Sequence, residues 1–239
     1  MKVESTMRVP VLLYHKIDKP GRGVLVRGGF TPPSRFARQM SYLKKRGFVF
    51  YTASELIDHY NEEGVFPSNG ITLTFDDGWK DNYVHAFPVL KRLGIKATIF
   101  LVPSCIGQVS EKVMASGESA RAHLSNAEIL EMSKHGIEFG SHSVNHKWLH
   151  ELTAEEVRFE AEESKHLLEN LVQKPCRVFA YPAGYYSASV EKIVETAGYH
   201  AAFTTVYGPQ DRVDMFALNR IEILRRDRFL YQFRRKLPL

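Results

Sequence analysis

The chain has 239 residues, 44% of them hydrophobic and 25% charged, with a net charge of +5. This is the balance of a globular protein long enough to bury a core without staples, and it excludes a disordered chain. No recognition motif accompanies the basic surplus, so nucleic acid is not an expected partner, and Cys105 and Cys176, which form no CxxC pair, make neither a disulfide framework nor a zinc knuckle.

The opening "MKVESTMRVPVLLYHKID" has no apolar core of signal-peptide length, and no later segment is long and apolar enough to be a transmembrane span. As written the chain is expected to be cytoplasmic; an exported protein trimmed of its signal would read the same way. "VPVLLYH" predicts a strand and "PPSRFARQMSYLKKRG" a helix stopped by Gly47. "TASELIDHYNEEG" predicts a second helix, "GITLTF" a strand, "NYVHAFPVLKRLG" a helix and "KATIFLV" a strand. Residues 104–124 are irregular and polar and read as a long surface loop. "SNAEILEMSKHG" opens on a capping box, Ser125 to Glu128, and "TAEEVRFEAEESKHLLENLV" on another, Thr153 to Glu156. "IEFGSH", "RVFAYP", "YHAAFTT" and "FALNRIEI" are the remaining strands, "SASVEKIVETAG" is a helix, and the basic "RRDRFLYQFRRK" reads as a solvated helix face.

Seven strands alternating with helices predict a parallel sheet covered by helices, in one domain over 1–239. A (β/α) barrel and an open doubly wound sheet both fit this pattern. In either, functional groups gather where strands end. Here Asp76 and Asp77 follow "ITLTF", His142 follows "IEFGS", His15 ends "VLLYH", Tyr181 ends "RVFAY", and Arg220 lies in the last strand.

"HSVNH" places His142 and His146 four residues apart. On one helical turn both rings would point the same way and could share a metal, or they are an exposed pair; His146 with His150 repeats the spacing. "DDG" is a common turn, but two ionised neighbours at a partly buried strand end repel unless a cation sits between them. One carboxylate then binds the ion and the other stays free as a base. An Asp–His–His set leaves open positions on a zinc-like ion, which is the pattern of hydrolysis of an acyl bond. An amide also requires a general acid.

"TFDDG", "HSVNH" and "FAYPAG" together resemble the first three motifs of the polysaccharide deacetylases, the NodB-homology domain of carbohydrate esterase family 4. The resemblance runs from "VPVLLYH" to "FALNRIEI". It implies a distorted (β/α)7 barrel that removes N-acetyl groups from N-acetylglucosamine units of a glycan. It implies Asp76 as base, Asp77, His142 and His146 as ligands of one divalent metal (zinc, with cobalt, nickel or iron as alternatives), and the Tyr181 backbone N–H as oxyanion donor. Two family features are absent: Ala180 stands where an arginine is usual, and no C-terminal motif supplies a histidine. Both gaps close if the chain resembles the circularly permuted poly-β-1,6-N-acetylglucosamine deacetylases, whose histidine strand comes first. His15 is then the general acid. Arg220 replaces the arginine beside Asp76, unless it pairs with Glu222 instead. Ala183 replaces the usual aromatic, so Tyr185 or Tyr186, with Trp148, are the expected substrate contacts. Trp79 has two readings, sugar groove or core. His59, His85, His123, His135, His166 and His200 read as incidental, and Cys105 as a plain thiol. Two other functions share this sequence pattern: a deacetylase or amidase of a small sugar-precursor or non-sugar amide, and a non-catalytic glycan-binding module.

Overall fold

The computed structural model describes residues 10–25, 27–110, 120–208 and 212–237. In chain order the elements are β1 (Val11–Tyr14), α1 (Pro33–Lys45), β2 (Val49–Tyr51), α2 (Ala53–Glu63), β3 (Gly70–Phe75), α3 (Phe87–Leu93) and β4 (Ala97–Leu101). The short strands β5 (Val109–Ser110) and β6 (Arg121–Ala122) follow, then α4 (Asn126–Ser133), β7 (Ile137–Ser141), α5 (Ala154–Val172), β8 (Val178–Ala180), α6 (Ala188–Thr196), β9 (Ala201–Phe203), β10 (Ile221–Glu222) and α7 (Leu230–Lys236).

The main sheet runs β10-β1-β3-β4-β7-β8-β9, with β2 beside the first half of β3. Every pairing in it is parallel. The sheet curls until its ends nearly meet. Leu218 bridges Phe203 on β9, and Ile221 pairs with Leu12 on β1. Residues 218–222 therefore span the gap as a broken strand, and the fold is a distorted (β/α)7 barrel.

Strand side chains alternate between faces, and that alternation places the site. Leu12, Tyr14, Ile71, Leu73, Phe75, Ile99 and Phe139 join the outer core under the helices. Val11, Phe100, Val178, Ala180, Phe203 and Leu218 form a separate inner cluster. In phase with the inner set stand His15, Asp76, His142 and Arg220. The floor of the barrel is plugged by α2. Ala53, Leu56 and Ile57 are fully buried in the inner cluster, and the helix N-terminus is received by Thr98 Oγ1 and Glu138, which accept from the Ala53 and Ser54 N–H groups. The interior is filled below, so chemistry is confined to the strands' C-terminal mouth.

Both expected capping boxes are formed, at Ser125–Glu128 and Thr153–Glu156, and Thr52–Glu55 makes a third. Four expectations change. β2 has only three residues, one of them exposed, and is too short for a periodic signal. The helix before β4 opens on a π turn over residues 82–86. The expected loop at 104–124 contains the β5–β6 hairpin; residues 111–119 lie outside the described residues. In "RRDRFLYQFRRK" the helix begins only at Leu230 and buries Phe233, so the first arginines lie on a loop.

Candidate active site

His15, Asp76, His142 and Tyr181 are each the first residue beyond a strand, of β1, β3, β7 and β8 respectively. Backbone geometry marks the same segments. Among the described residues, five non-glycine residues have positive φ: Asp77, Ser143, His146, Ala183 and Gln173. The last merely ends α5. The other four lie in "DDG", "HSVNH" and "YPAG", and such left-handed residues cost on the order of 1–3 kcal/mol each unless the surroundings hold them. "HSVNH" is thus a tight turn rather than the expected helical turn. Two left-handed residues, Ser143 and His146, bring the imidazoles together, with ring centroids 4.9 Å apart.

The turn is held from several sides. Ser143 Oγ accepts from the His146 N–H at 3.0 Å. Glu160 of α5, itself buried, accepts from the backbone N–H and the side-chain amide of Asn145, both at 2.8 Å. His142 donates from Nδ1 to the Ala180 carbonyl at 2.7 Å. A carbonyl can only accept, so the proton sits on Nδ1 and Nε2 presents a lone pair. Burial pushes His142 down to about 4 against the pull of Asp76 and Asp77, which keeps the ring neutral.

His142 Nε2 lies 3.7 Å from Asp77 Oδ1, and His146 Nε2 lies 3.3 Å from the same oxygen. One ligand atom from each of Asp77, His142 and His146 falls within 4.8 Å of the others. A neutral imidazole, a second imidazole and a carboxylate at this spacing fit a divalent ion of the zinc type. Burial alone would raise the Asp77 carboxyl. The hydrogen bond and charge of His146 outweigh it and hold the group well below the usual range. Asp77 Oδ2 is fixed by the Trp79 indole N–H at 2.8 Å. His150 is not in this group; its ring lies against Trp148 and Tyr185.

Asp76 has another partner. Arg220 Nη1 and Nη2 donate to its two carboxylate oxygens, each at 2.7 Å. Arg220 is fully buried, with Nε on the Thr204 carbonyl and Nη1 also on Thr74 Oγ1. Burial raises the Asp76 carboxyl, but the charge and hydrogen bonds of Arg220 outweigh it and leave it low. Arg220 therefore pairs with Asp76 and not with Glu222.

His15 is near enough for its charge to act on both Asp76 and Asp77. Its Nδ1 is buried without a hydrogen-bond partner among the described protein atoms. Trp148 and Tyr185 stand half-exposed at the rim, ring centroids 6.0 Å apart. Tyr186 stacks on Tyr181 instead. Tyr181 departs from expectation: its backbone N–H donates to the Phe203 carbonyl at 3.0 Å, completing the β8–β9 ladder, and its hydroxyl donates to the Phe216 carbonyl. That N–H is not available to an oxyanion.

Sequence reading set His123 aside, yet it belongs here. Its Nδ1 donates to the Asp77 carbonyl at 2.9 Å, and its ring stacks on Trp79 at 4.2 Å. These two residues, with Val102, Cys105 and Ser110, line a hollow of about 200 Å³ that opens on Asp77 and His146. Glu160 was also missed. Its signal was a lone carboxylate on the α5 stripe at Val157, Glu160, Ala161, Ser164 and Leu168, all buried.

The polysaccharide deacetylase family profile matches residues 63–202. The chain belongs to this family. Family membership makes it a hydrolase of carbon–nitrogen bonds. YxkH of Bacillus subtilis (strain 168), which carries the family's name, is 32% identical over 224 residues, covering 93% of this chain and 74% of YxkH. The poly-β-1,6-N-acetyl-D-glucosamine N-deacetylase of Staphylococcus epidermidis is 30% identical over 181 residues, 71% of this chain; the chain spans 59% of that relative's length. The solved structure of the Streptococcus pyogenes deacetylase PplD in complex with acetate superposes with a TM-score of 0.85 at 25% identity, covering 98% of this chain and 100% of PplD. Among the described residues of this polysaccharide deacetylase, no helix is long and apolar enough to cross a membrane.

Proposed function

We propose that the protein is a divalent-metal-dependent N-deacetylase of N-acetylglucosamine units in a glycan. The observation that carries this reading is the division of labour between neighbouring aspartates: Asp76 is clasped by Arg220, while Asp77 faces the two imidazoles. Asp77, His142 and His146 would hold the ion, with zinc first and cobalt, nickel or iron as alternatives. When bound, such an ion supplies Lewis-acid activation of the acyl group and of water.

The protein's own groups do the rest. Asp76, kept ionised by Arg220, accepts the proton from the attacking water. His15, the strand-end imidazole beside both aspartates, returns a proton to the departing amine. The hollow beside Asp77, walled by Trp79, Val102 and Cys105, suits the small apolar end of an acetyl group. With the Tyr181 N–H spent, the next N–H along the chain, that of Ala183, takes over as oxyanion donor; Ala183 sits in the 182–184 turn at φ 56°. Trp148 and Tyr185 present aromatic faces at the rim, which suits an extended sugar chain.

The activity that names the staphylococcal relative makes β-1,6-linked N-acetylglucosamine the first substrate to try. An assay of β-1,6- and β-1,4-linked oligomers beside free N-acetylglucosamine derivatives and simple amides tests the reading. Turnover of oligomers above the small amides is expected. Turnover confined to small amides would reassign the substrate, and tight glycan binding without turnover would reassign the protein as a binding module.

A further inference from the structure

A shallow hollow lined by arginines lies across a short strap from His15. Arg27, Gly28, Arg225, Arg226 and Arg228 line an open hollow of about 340 Å³. Arg35 joins them from α1, donating Nη1 to the Arg225 carbonyl at 2.8 Å. The loop that presents these side chains has a fixed shape. Asp227 Oδ2 accepts from the Leu224 N–H at 2.8 Å and from Lys236 Nζ at 2.7 Å, and the Arg225 N–H donates to the Gly28 carbonyl at 2.9 Å. The one acid within this loop is thus buried and already engaged.

Among the described residues, no carboxylate lies within ion-pair distance of Arg27, Arg35, Arg225, Arg226 or Arg228, although other surface cations such as Lys96, Arg177 and Lys192 have such partners. Crowded like charges repel, and guanidinium groups are never neutralised by losing a proton. Arg35 registers the crowding. Burial lowers its pKa first, and the charges of Arg228, Arg38 and Arg225 lower it further, against a smaller pull from Asp227. A shallow, open cluster of guanidinium forks with one buried, already engaged carboxylate beside it matches the tetrahedral oxygens of a phosphate.

The position matters as much as the charge. Gly28 lines the arginine hollow, while a Cβ on the adjacent Gly29 would sit 3.6 Å from His15 Cβ. One strap therefore borders both the hollow and the proposed general acid.

We propose that the Arg27/Arg225/Arg226/Arg228 hollow is an anion site that takes a phosphate ester next to the deacetylation centre. The shared chemistry has two sources, a phosphate carried by the glycan and a lipid phosphate at a membrane surface.

The test reads binding rather than turnover, so it is independent of the deacetylase reading. Inorganic phosphate is titrated into the full chain by calorimetry or NMR. Saturable binding is expected, weakened about tenfold or more in R226E/R228E. It is expected to persist in R158E, a control on α5 far along the sheet order. The neutral pair R226Q/R228Q serves if the charge reversal perturbs folding, which a thermal melt reports. Absence of saturable phosphate binding in the unaltered protein, or equal loss in R158E and R226E/R228E, would overturn the proposal. Two further arms assign the source. Tighter binding of N-acetylglucosamine 6-phosphate than of inorganic phosphate supports a glycan-borne ester. Arginine-dependent co-sedimentation with phosphatidylcholine/phosphatidylglycerol vesicles, without that gain, supports a lipid headgroup.

Discussion

Arg220 grips Asp76 through two parallel hydrogen bonds of 2.7 Å, inside a barrel where both side chains are buried. Thr74 Oγ1 and the Thr204 carbonyl hold the guanidinium in turn, and Phe100 lies beneath it at 5.5 Å. A buried carboxylate would ordinarily rise in pKa and lose its charge. Here the arginine reverses that, so the base is ready ahead of the substrate.

Arg220→Met leaves Asp76 buried without its partner. A loss on the order of 3–5 kcal/mol is expected, read by chemical denaturation at neutral pH. Arg220→Lys keeps a charge but not the fork. Because the Asp76 carboxyl is held low in the native site, weakening its partner raises it, and the acidic limb of the kcat/KM profile moves to higher pH. A limb that stays in place would show that Asp76 does not govern it. The same sign applies to stability. Asp76 and Asp77 are both depressed, so their contribution is present above the unfolded value of about 4 and is lost as pH falls through the native values.

His15→Ala is expected to lower kcat about 10²–10⁴-fold while leaving metal content intact, since His15 is outside the ligand group. Measuring bound metal beside turnover separates the two effects. Loss of metal in this variant would place His15 among the ligands instead.

Trp79→Phe keeps a ring against His123 and removes the N–H that fixes Asp77 Oδ2. Metal affinity should fall about 10- to 100-fold, measured by chelator competition. Stability should fall by about 1–3 kcal/mol in a thermal melt, since Trp79 is buried and its larger ring also lies under the Lys16 ammonium, so chelator competition is read on the folded variant.

Gly184 has φ +78°, and a Cβ there would lie 2.6 Å from the Thr205 backbone N. Gly184→Ala should cost about 1–3 kcal/mol by thermal unfolding, through left-handed strain and crowding. It should also disturb the 182–184 turn that carries the Ala183 N–H.

A parallel sheet covered by helices was legible because helix and strand periods alternate and two capping boxes mark helix starts; its closure into a barrel was not, and followed only from the family resemblance of the motifs. Asp76, Asp77, His142 and His146 were legible too, since acids and imidazoles at strand ends carry chemistry that few other patterns share. Arg220 was legible as a candidate, but its choice of Asp76 over Glu222 depended on a three-dimensional fact, that its side chain shares the inner face with Leu218 and Asp76. His123 was opaque because it lies on the loop around the β5–β6 hairpin, where no periodic signal exists. The Tyr181 N–H was misjudged for a related reason: sequence shows which residue ends a strand, but not whether the neighbouring strand continues to pair with it. The arginine hollow joins residues 27 and 225–228, almost 200 positions apart, and no local pattern links them.

The central claim is that Asp77, His142 and His146 hold a metal that this site needs for deacetylation. The most direct measurement is acetate release from β-1,6-linked N-acetylglucosamine oligomers by metal-stripped protein, then with zinc, cobalt or nickel restored, beside Asp76→Ala and His142→Ala. Release is expected only with metal, none in Asp76→Ala although that variant still binds metal, and neither metal nor release in His142→Ala. Undiminished release by the stripped protein, or by Asp76→Ala, would contradict the claim.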